Sequence, residues 1–446
     1  MNLRKVTENH DGTSAARQRY IVGILLLMYV FAYMDRTILS LMVDPIKHSL
    51  RISDIQFSLV HGVAFGLFYA LLGLPMGWIV DRFSKRWVLF WGIFSWSAAT
   101  VSCGLARSFP ALVLSRFGVG AGEATLVPVA YTTIARTLPK HRTAMGIAIF
   151  SMGSVTGAAL AIGIGGYLIA WLTRIGGVSL PLVGHLEPWQ GVFLVVGAPG
   201  ILVALLAFTL PDAPRDQSHR SAGASEAFLP FVIKNRAYLF FSVGGLSLTT
   251  VIANGMNAWM PALLMRRYGL PVSEVGLVMS IVILNGIFGF AASGYFADRL
   301  FKAGHKDGHL LPVLICTPFI ILLSIVGFYF STDVRLTLIC AALLLPLLSI
   351  GNAIAAHVQL STPPALRGRL AALTVAAQHF TGLTLGPLLV AAVTDHVFRN
   401  PIDVGRSMAV VATGVGLLSG VFYLAARKYA RAAIQRMERD EIGHGS

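Results

Sequence analysis

Apolar stretches of about 20 residues recur along nearly the whole chain. This recurrence constrains the fold more than any other feature, because a helix of about 20 apolar residues spans the hydrocarbon core of a bilayer. Twelve such stretches run near 20–43, 57–80, 88–106, 110–136, 143–170, 190–210, 237–264, 274–297, 310–330, 334–360, 369–394 and 405–426. A backbone in lipid must satisfy its own hydrogen bonds, so each stretch is read as a helix. The composition agrees: of 446 residues, 55% are hydrophobic and 12% charged, where a soluble domain carries about a quarter charged residues. The expected fold class is an all-α membrane protein with twelve transmembrane helices.

The net charge of +15 raises the possibility of a nucleic-acid partner, and its distribution argues against one. Basic residues gather in alternate loops: Arg4, Lys5, Arg17 and Arg19 before span one, Arg82, Lys85 and Arg86 after span two, Arg136, Lys140 and Arg142 after span four, and Arg427 to Arg439 after span twelve. Loops rich in Lys and Arg stay cytoplasmic, so an even number of spans with both termini cytoplasmic is expected. The first 19 residues are polar and lack a cleavable signal pattern. Cys103, Cys316 and Cys340 fall inside apolar spans and read as small core residues. The expected organisation is a tail at 1–19, a six-helix bundle at 20–210, a polar flexible linker at 211–236, a second bundle at 237–426 and a tail at 427–446. Residues 427–440 read either as a basic helix on the inner membrane surface or as a solvated tail.

A cassette divides the chain into two related halves. It occurs in full as Gly77-Trp-Ile-Val-Asp81-Arg82-Phe-Ser-Lys85-Arg86 and in reduced form as Gly294-Tyr-Phe-Ala-Asp298-Arg299, with Lys302 following. The two aspartates lie 217 residues apart, and the same offset carries Tyr20, at the start of span one, to Ala237, at the start of span seven. Pro139-Lys-His-Arg142 parallels Pro364-Ala-Leu-Arg367, and Thr156-Gly157 parallels Thr381-Gly382, both at an offset of 225. A longer basic loop at 301–310 accounts for the slip. Duplicated membrane units with a site between the repeats are the usual build of secondary transporters. Gly77, Asp81, Arg82, Arg86, Arg142, Asp298 and Arg299 sit where spans meet basic loops. They read as conformational gate residues, with a bare topology anchor as the alternative.

Ionisable residues inside spans are costly and therefore mark candidate sites. Asp35 and Arg36 interrupt span one, close to Tyr33; Arg116 and Glu123 interrupt span four. Seven residues at about 100° each bring Arg116 and Glu123 to nearly one helix face, about two turns apart. Burial disfavours a charged carboxylate and a nearby arginine favours it, so such an acid can change its protonation with conformation. Asp35 and Glu123 are the candidate protonation sites. Arg36, Arg116 and Tyr33, with Asn254 and Asn257 of span seven, are candidates for substrate binding. A static pair of ions locking spans one and four is the competing reading. The glycines of span four (Gly118, Gly120, Gly122) and span five (Gly153, Gly157, Gly163, Gly165, Gly166) suggest close helix packing rather than a phosphate loop. His61, His357 and His379 read as packing residues. Trp259-Met-Pro261 predicts a bend in span seven. No zinc-hydrolase, nucleophile-elbow or nucleotide-binding motif is present, so no metal, cofactor or enzyme activity is expected.

The cassette, the twelve spans and Trp189-Gln-Gly-Val-Phe-Leu-Val-Val-Gly-Ala-Pro199 together resemble the major facilitator superfamily over about residues 20–426. Two departures stand out: Ser84 where that family's loop motif usually has a second Gly, and Ala158 where its exporters have Pro. Within it the chain resembles the spinster group, through Tyr33-Met-Asp35-Arg36, Asp81-Arg82-Phe-Ser-Lys-Arg-Trp, Arg116-x-x-x-Gly-x-Gly122-Glu123-Ala and Trp259-x-Pro261. Animal members of that group are linked to movement of sphingosine-1-phosphate and lysophospholipids. The resemblance implies two pseudo-symmetric six-helix bundles and alternating-access transport of a lipid-like anion or zwitterion, coupled to or gated by protons. It also implies protonation at Asp35 and Glu123, with Arg36 and Arg116 near the headgroup. The compact loops point to a bacterial inner (plasma) membrane protein, expected to be a monomer. The alternatives are a sugar-acid or other organic-anion symporter, a drug exporter, a lipid-modifying enzyme and a transporter-like sensor.

Overall fold

The computed structural model describes residues 14–181, 183–211, 222–302, 310–351, 354–355, 357–358, 361–363 and 366–443. Among these residues eleven helices are long and apolar enough to cross a membrane, from Ala15–Leu50 to Pro401–Tyr429. A shorter apolar helix, Val334–Ser349, begins at the start of the expected tenth span, part of whose remainder lies outside the described residues. Helix starts follow local chemistry. Ser53 and Gln56 cap each other's backbone at Asp54–Ser58, Ser108 accepts from Ala111 N at the head of Phe109–Glu123, and Asp333 accepts from Arg335 N before Val334–Ser349.

Several spans are less regular than their hydropathy predicts. Span one is the helix Ala15–Thr37, a tighter 3₁₀ turn Ile38–Met42 and a last helix Val43–Leu50. Span two opens as Asp54–Ser58, widens into a π-turn at Leu59–Val63 and continues as Ala64–Arg82. Span four is Phe109–Glu123 followed by Leu126–Thr137, so its helix stops at Glu123. The long connection before span six carries an antiparallel pair of strands, β1 (Val178–Leu180) and β2 (Gly184–Leu186), with Val178 opposite Leu186. Gly177, just before β1, and Gly184, the first residue of β2, have positive φ, a conformation that residues with side chains rarely adopt. Span seven runs as one helix, Arg236–Tyr268, through Pro261.

Two connections read as polar or solvated are more structured. Residues 212–221 of the linker lie outside the described part. The rest is a helix, Ala222–Lys234, because Phe228-Leu-Pro-Phe-Val-Ile233 supplies an apolar run within the polar linker. The basic tail is continuous with span twelve in the single helix Val404–Gly443; residues 427–440 are helical, as an extension of that span and not as a separate helix. Residues 303–309 of the basic loop after span eight are also outside the described part.

Contacts divide the chain into two compact units that do not follow the halves of the sequence. The first comprises Met1–Leu50, Leu67–Arg215 and Val272–Ser280; the second comprises Arg51–Gly66, Asp216–Pro271 and Ile281–Ser446. In the second unit the opening of span two packs on span eleven. Ser58 Oγ donates to Pro387 O at 3.1 Å, and Gly62 lies so close to the Leu383 carbonyl that no side chain fits. In the first unit the opening of span eight packs on span five. A Cβ on Gly276 would meet Ile162 O at 2.6 Å, and one on Gly166 would meet Val272 O at 2.6 Å. Shifted by the repeat offset, residues 55–63 land on 272–280, so the transferred segments are repeat partners. Trp96, Trp189, Phe150 and Phe193 anchor the core of the first unit, and Trp259, Phe57, Phe65, Phe328 and Tyr423 that of the second.

Candidate functional site

The first unit gathers Asp35 and Arg36 of span one with Arg116 and Glu123 of span four. Asp35 and Arg36 sit in the last turn of Ala15–Thr37, where the helix dipole favours a cation and disfavours an anion. Asp35 and Glu123 are 2% exposed, Arg36 8% and Arg116 0%. Arg36 Nη2 pairs with Glu123 Oε2 at 2.6 Å, joining span one to span four. Thr100 Oγ1 of span three donates to Asp35 Oδ2 at 3.1 Å, and Arg116 Nη1 lies 3.5 Å from the Asp35 carbonyl. The other carboxylate oxygens, Asp35 Oδ1 and Glu123 Oε1, are buried without a hydrogen-bond partner among the described residues. A buried acceptor left unmade costs about 1–3 kcal/mol, more for a charged group. These two oxygens are therefore places where a proton or a ligand donor lowers the energy.

Aromatic side chains flank the cluster. The Arg36 guanidinium lies 4.6 Å from the Tyr33 ring centre and 5.4 Å from that of Tyr69. Tyr33 meets Tyr29 edge-on at 5.0 Å, Tyr29 stacks on Phe150 at 4.4 Å, and Tyr131 meets Phe150 edge-on at 5.9 Å. Stacking suits arginine's planar cation, and a desolvated cation–π contact is worth about 2 kcal/mol. Two glycines bring Tyr29 and Tyr33 into place. A Cβ on Gly153 would meet Leu26 O at 3.0 Å, and one on Gly157 would meet Tyr33 Cβ at 2.9 Å. Span-four glycines also serve packing: a Cβ on Gly118 would meet Ala99 Cβ at 2.9 Å and one on Gly122 would meet Trp96 N at 2.6 Å.

The remaining candidates lie elsewhere. Asn254 and Asn257 are on span seven in the second unit; Asn254 Nδ2 donates to Thr250 O of its own helix at 2.9 Å, and Asn257 is exposed. Gly77, Asp81 and Arg82 fall in the last turns of Ala64–Arg82, with Arg82 exposed. Arg86 Nε donates to Leu210 O at 2.5 Å, a contact between spans three and six. Arg142 is exposed in the first turn of Lys140–Arg174. Asp298 lies in Val272–Lys302, and Arg299 there donates to Tyr295 Oη at 2.9 Å.

Other polar contacts escape a reading of the sequence. Thr100 is one of several hydroxyls in span three, beside Ser95, Ser97 and Ser102, with nothing in the sequence to mark its contact with Asp35. In the second unit Asp54, fully buried, makes a two-pronged pair with Arg266 at 2.9 and 3.0 Å, and Arg266 also lies 5.4 Å from the Trp259 ring. Asp395 Oδ2 accepts from Ile55 N at 3.0 Å beside it. The available signal was an acid and a base at the ends of two spans, too common to single out.

A family model described as Major Facilitator Superfamily matches residues 25–387. The chain belongs to the major facilitator superfamily. As a member of that superfamily it is a membrane transporter and not an enzyme. It is 26% identical to an MFS-type efflux pump of Mycolicibacterium smegmatis (strain ATCC 700084 / mc(2)155), over 96% of this chain and 97% of that protein. It is 27% identical to an Escherichia coli (strain K12) protein named as a probable galactarate/D-glucarate transporter, over 68% of this chain and 71% of that one. Among solved structures, the crystal structure of a bacterial homolog to the human lysosomal transporter Spinster, inward-facing and unoccupied, superposes with a TM-score of 0.76. That match is 24% identical and covers 96% of this chain and 99% of the other, showing the same fold.

Proposed function

We propose that this transporter carries an amphipathic organic anion or zwitterion, of the lysolipid or sphingosine-1-phosphate type, with coupling to protons through Asp35 and Glu123. The observation that carries the reading is the buried set Asp35, Arg36, Arg116 and Glu123, with one oxygen of each acid unpartnered and Arg36 set against two tyrosine rings. With both acids ionised the four charges cancel. Protonating either acid leaves one arginine in excess, a positive site inside a low-dielectric wall. An anion restores neutrality, so proton and anion load together at lower cost than either alone. Tyr29, Tyr33 and Tyr69 offer ring faces to an apolar body beside the charged group. Asn254 and Asn257 are proposed as further polar contacts, and the cassette residues Gly77, Asp81, Arg82, Arg86, Arg142, Asp298 and Arg299 as gate residues. The membrane is taken to be a bacterial inner membrane with both termini cytoplasmic, and the carrier to act as a monomer.

The E. coli relative named for galactarate and D-glucarate favours a second reading, a sugar-acid symporter that uses the same cluster for a small carboxylate. Flux into proteoliposomes under an imposed pH gradient separates the two. Labelled sphingosine-1-phosphate and lysophospholipid are offered beside D-glucarate, to wild type and to Asp35→Asn. Lipid flux that disappears in the variant supports the first reading. Glucarate flux alone assigns the chain to the second, and flux of any substrate that ignores both pH and Asp35 defeats the proton mechanism.

A further inference from the structure

Away from the charge cluster, the first unit has an apolar groove of about 470 Å³ between spans two, three and four. Its walls include Leu72, Phe83, Trp87 and Trp91, and its floor is Gly92, Gly122 and Thr125. A volume of this order holds an organic ligand. The floor is shallow because two helices nearly touch there: a Cβ on Gly122 would meet Gly92 O at 2.7 Å. Along span two the groove runs from Leu72 to Phe83, about 16 Å at 1.5 Å per residue. That length equals one leaflet of a hydrocarbon core about 30 Å thick.

The groove's two ends differ. Phe83 and Trp87, each more than half exposed, stand at one end beside Asp81-Arg82-Phe-Ser-Lys85-Arg86, a run with a sequence charge of +2. Arg82 there is exposed and Arg86 half-buried. Aromatic rings next to arginines mark the depth of lipid headgroups. The other end, near Leu72 and Ser95, is apolar apart from that one hydroxyl. We propose that this groove binds an anionic phospholipid of the surrounding bilayer, with one acyl chain along span two and its phosphate against Arg82 and Arg86. The floor residues Gly122 and Thr125 flank Glu123 in sequence, so the chain presses on the helix segment that carries Glu123. The bound lipid is thereby a structural partner of the charge cluster and not the transported molecule.

Brominated acyl chains quench tryptophan on contact, which reads occupancy directly. The protein is reconstituted in phosphatidylcholine with increasing mole fractions of brominated phosphatidylglycerol or, in parallel, brominated phosphatidylcholine. The signal of Trp87 and Trp91 is isolated by subtracting a Trp87→Phe/Trp91→Phe variant. The expected result is a saturable quench at a much lower mole fraction of the anionic lipid. The preference is expected to fall about fivefold for each of Arg82→Gln and Arg86→Gln, the worth of one basic residue near an anionic surface. Ser95→Leu, at an exposed position, fills the groove and is expected to remove the saturable component while circular dichroism stays that of wild type. Equal curves for the two lipids, or a saturable component that survives Ser95→Leu in a folded variant, overturn the proposal.

Discussion

Glu123 and Arg36 show how a buried pair is tested residue by residue. Removing one partner strands the other charge, which typically costs about 3–5 kcal/mol, whereas replacing both with uncharged groups of similar size is often near neutral. Glu123→Gln is therefore expected to lower the thermal midpoint in detergent strongly, and Arg36→Met/Glu123→Gln to regain most of it. Transport by both variants is expected to be lost, which separates a functional pair from a mere helix lock. A double variant that transports normally would leave the pair with a structural role alone. The Thr100 hydroxyl bound to Asp35 is a smaller contribution: Thr100→Val is expected to cost about 1 kcal/mol in stability. It is also expected to shift the pH dependence of flux, because it removes a donor to one protonation form of Asp35. The four charged residues were legible in the sequence because charge inside an apolar run is conspicuous. Thr100, Tyr69 and Phe150 were not, since a hydroxyl or a ring in a span is ordinary and only its neighbours give it meaning.

At the level of helices, the glycines divide into two kinds. Gly157 faces backbone and Tyr33 of span one, whereas Gly23 in span one has no atom near enough to meet a Cβ. Gly157→Leu is expected to destabilise by about 1–3 kcal/mol through overpacking. Gly23→Ala is expected to be neutral or to stabilise by up to about 1 kcal/mol. Thermal melts of the two variants in the same detergent check both. Hydropathy located the spans to within a few residues at most ends, because the bilayer fixes their length. It missed the π-turn of span two, the break at Glu123 and the helix of the linker. Those depend on local hydrogen bonding and on short apolar runs that a window of a span's length averages away. The break after Glu123 ends the helix at the acid itself, so its carboxylate hangs from a helix C-terminus in the middle of the span rather than from the interior of a continuous helix.

For the molecule as a carrier, the demand is energetic. Inverting a strongly biased equilibrium between two states requires a discrimination of about 5 kcal/mol. Two carboxylates titrating together meet that requirement more readily than one. Asp54 and Arg266 add a fixed pair in the second unit, and Asp54→Asn is expected to loosen the opening of span two. The labelling rate of Phe57→Cys, at a residue only 1% exposed, is expected to rise severalfold in that background. An unchanged rate would show that Ser58, Gly62 and Asp395 hold the segment without the ion pair.

The exchange of residues 51–66 and 272–280 between the units has a genetic consequence. Each half of the sequence encodes a peg whose socket is encoded in the other half: Gly62 fits against Leu383, and Gly276 against Ile162. Substitutions on a peg are thus constrained by a socket more than 100 codons away, and covariation is expected to concentrate on these pairs. Cutting the gene within the linker yields two polypeptides that each lack a packing partner, so neither half alone is expected to mature, while their co-expression restores both joints.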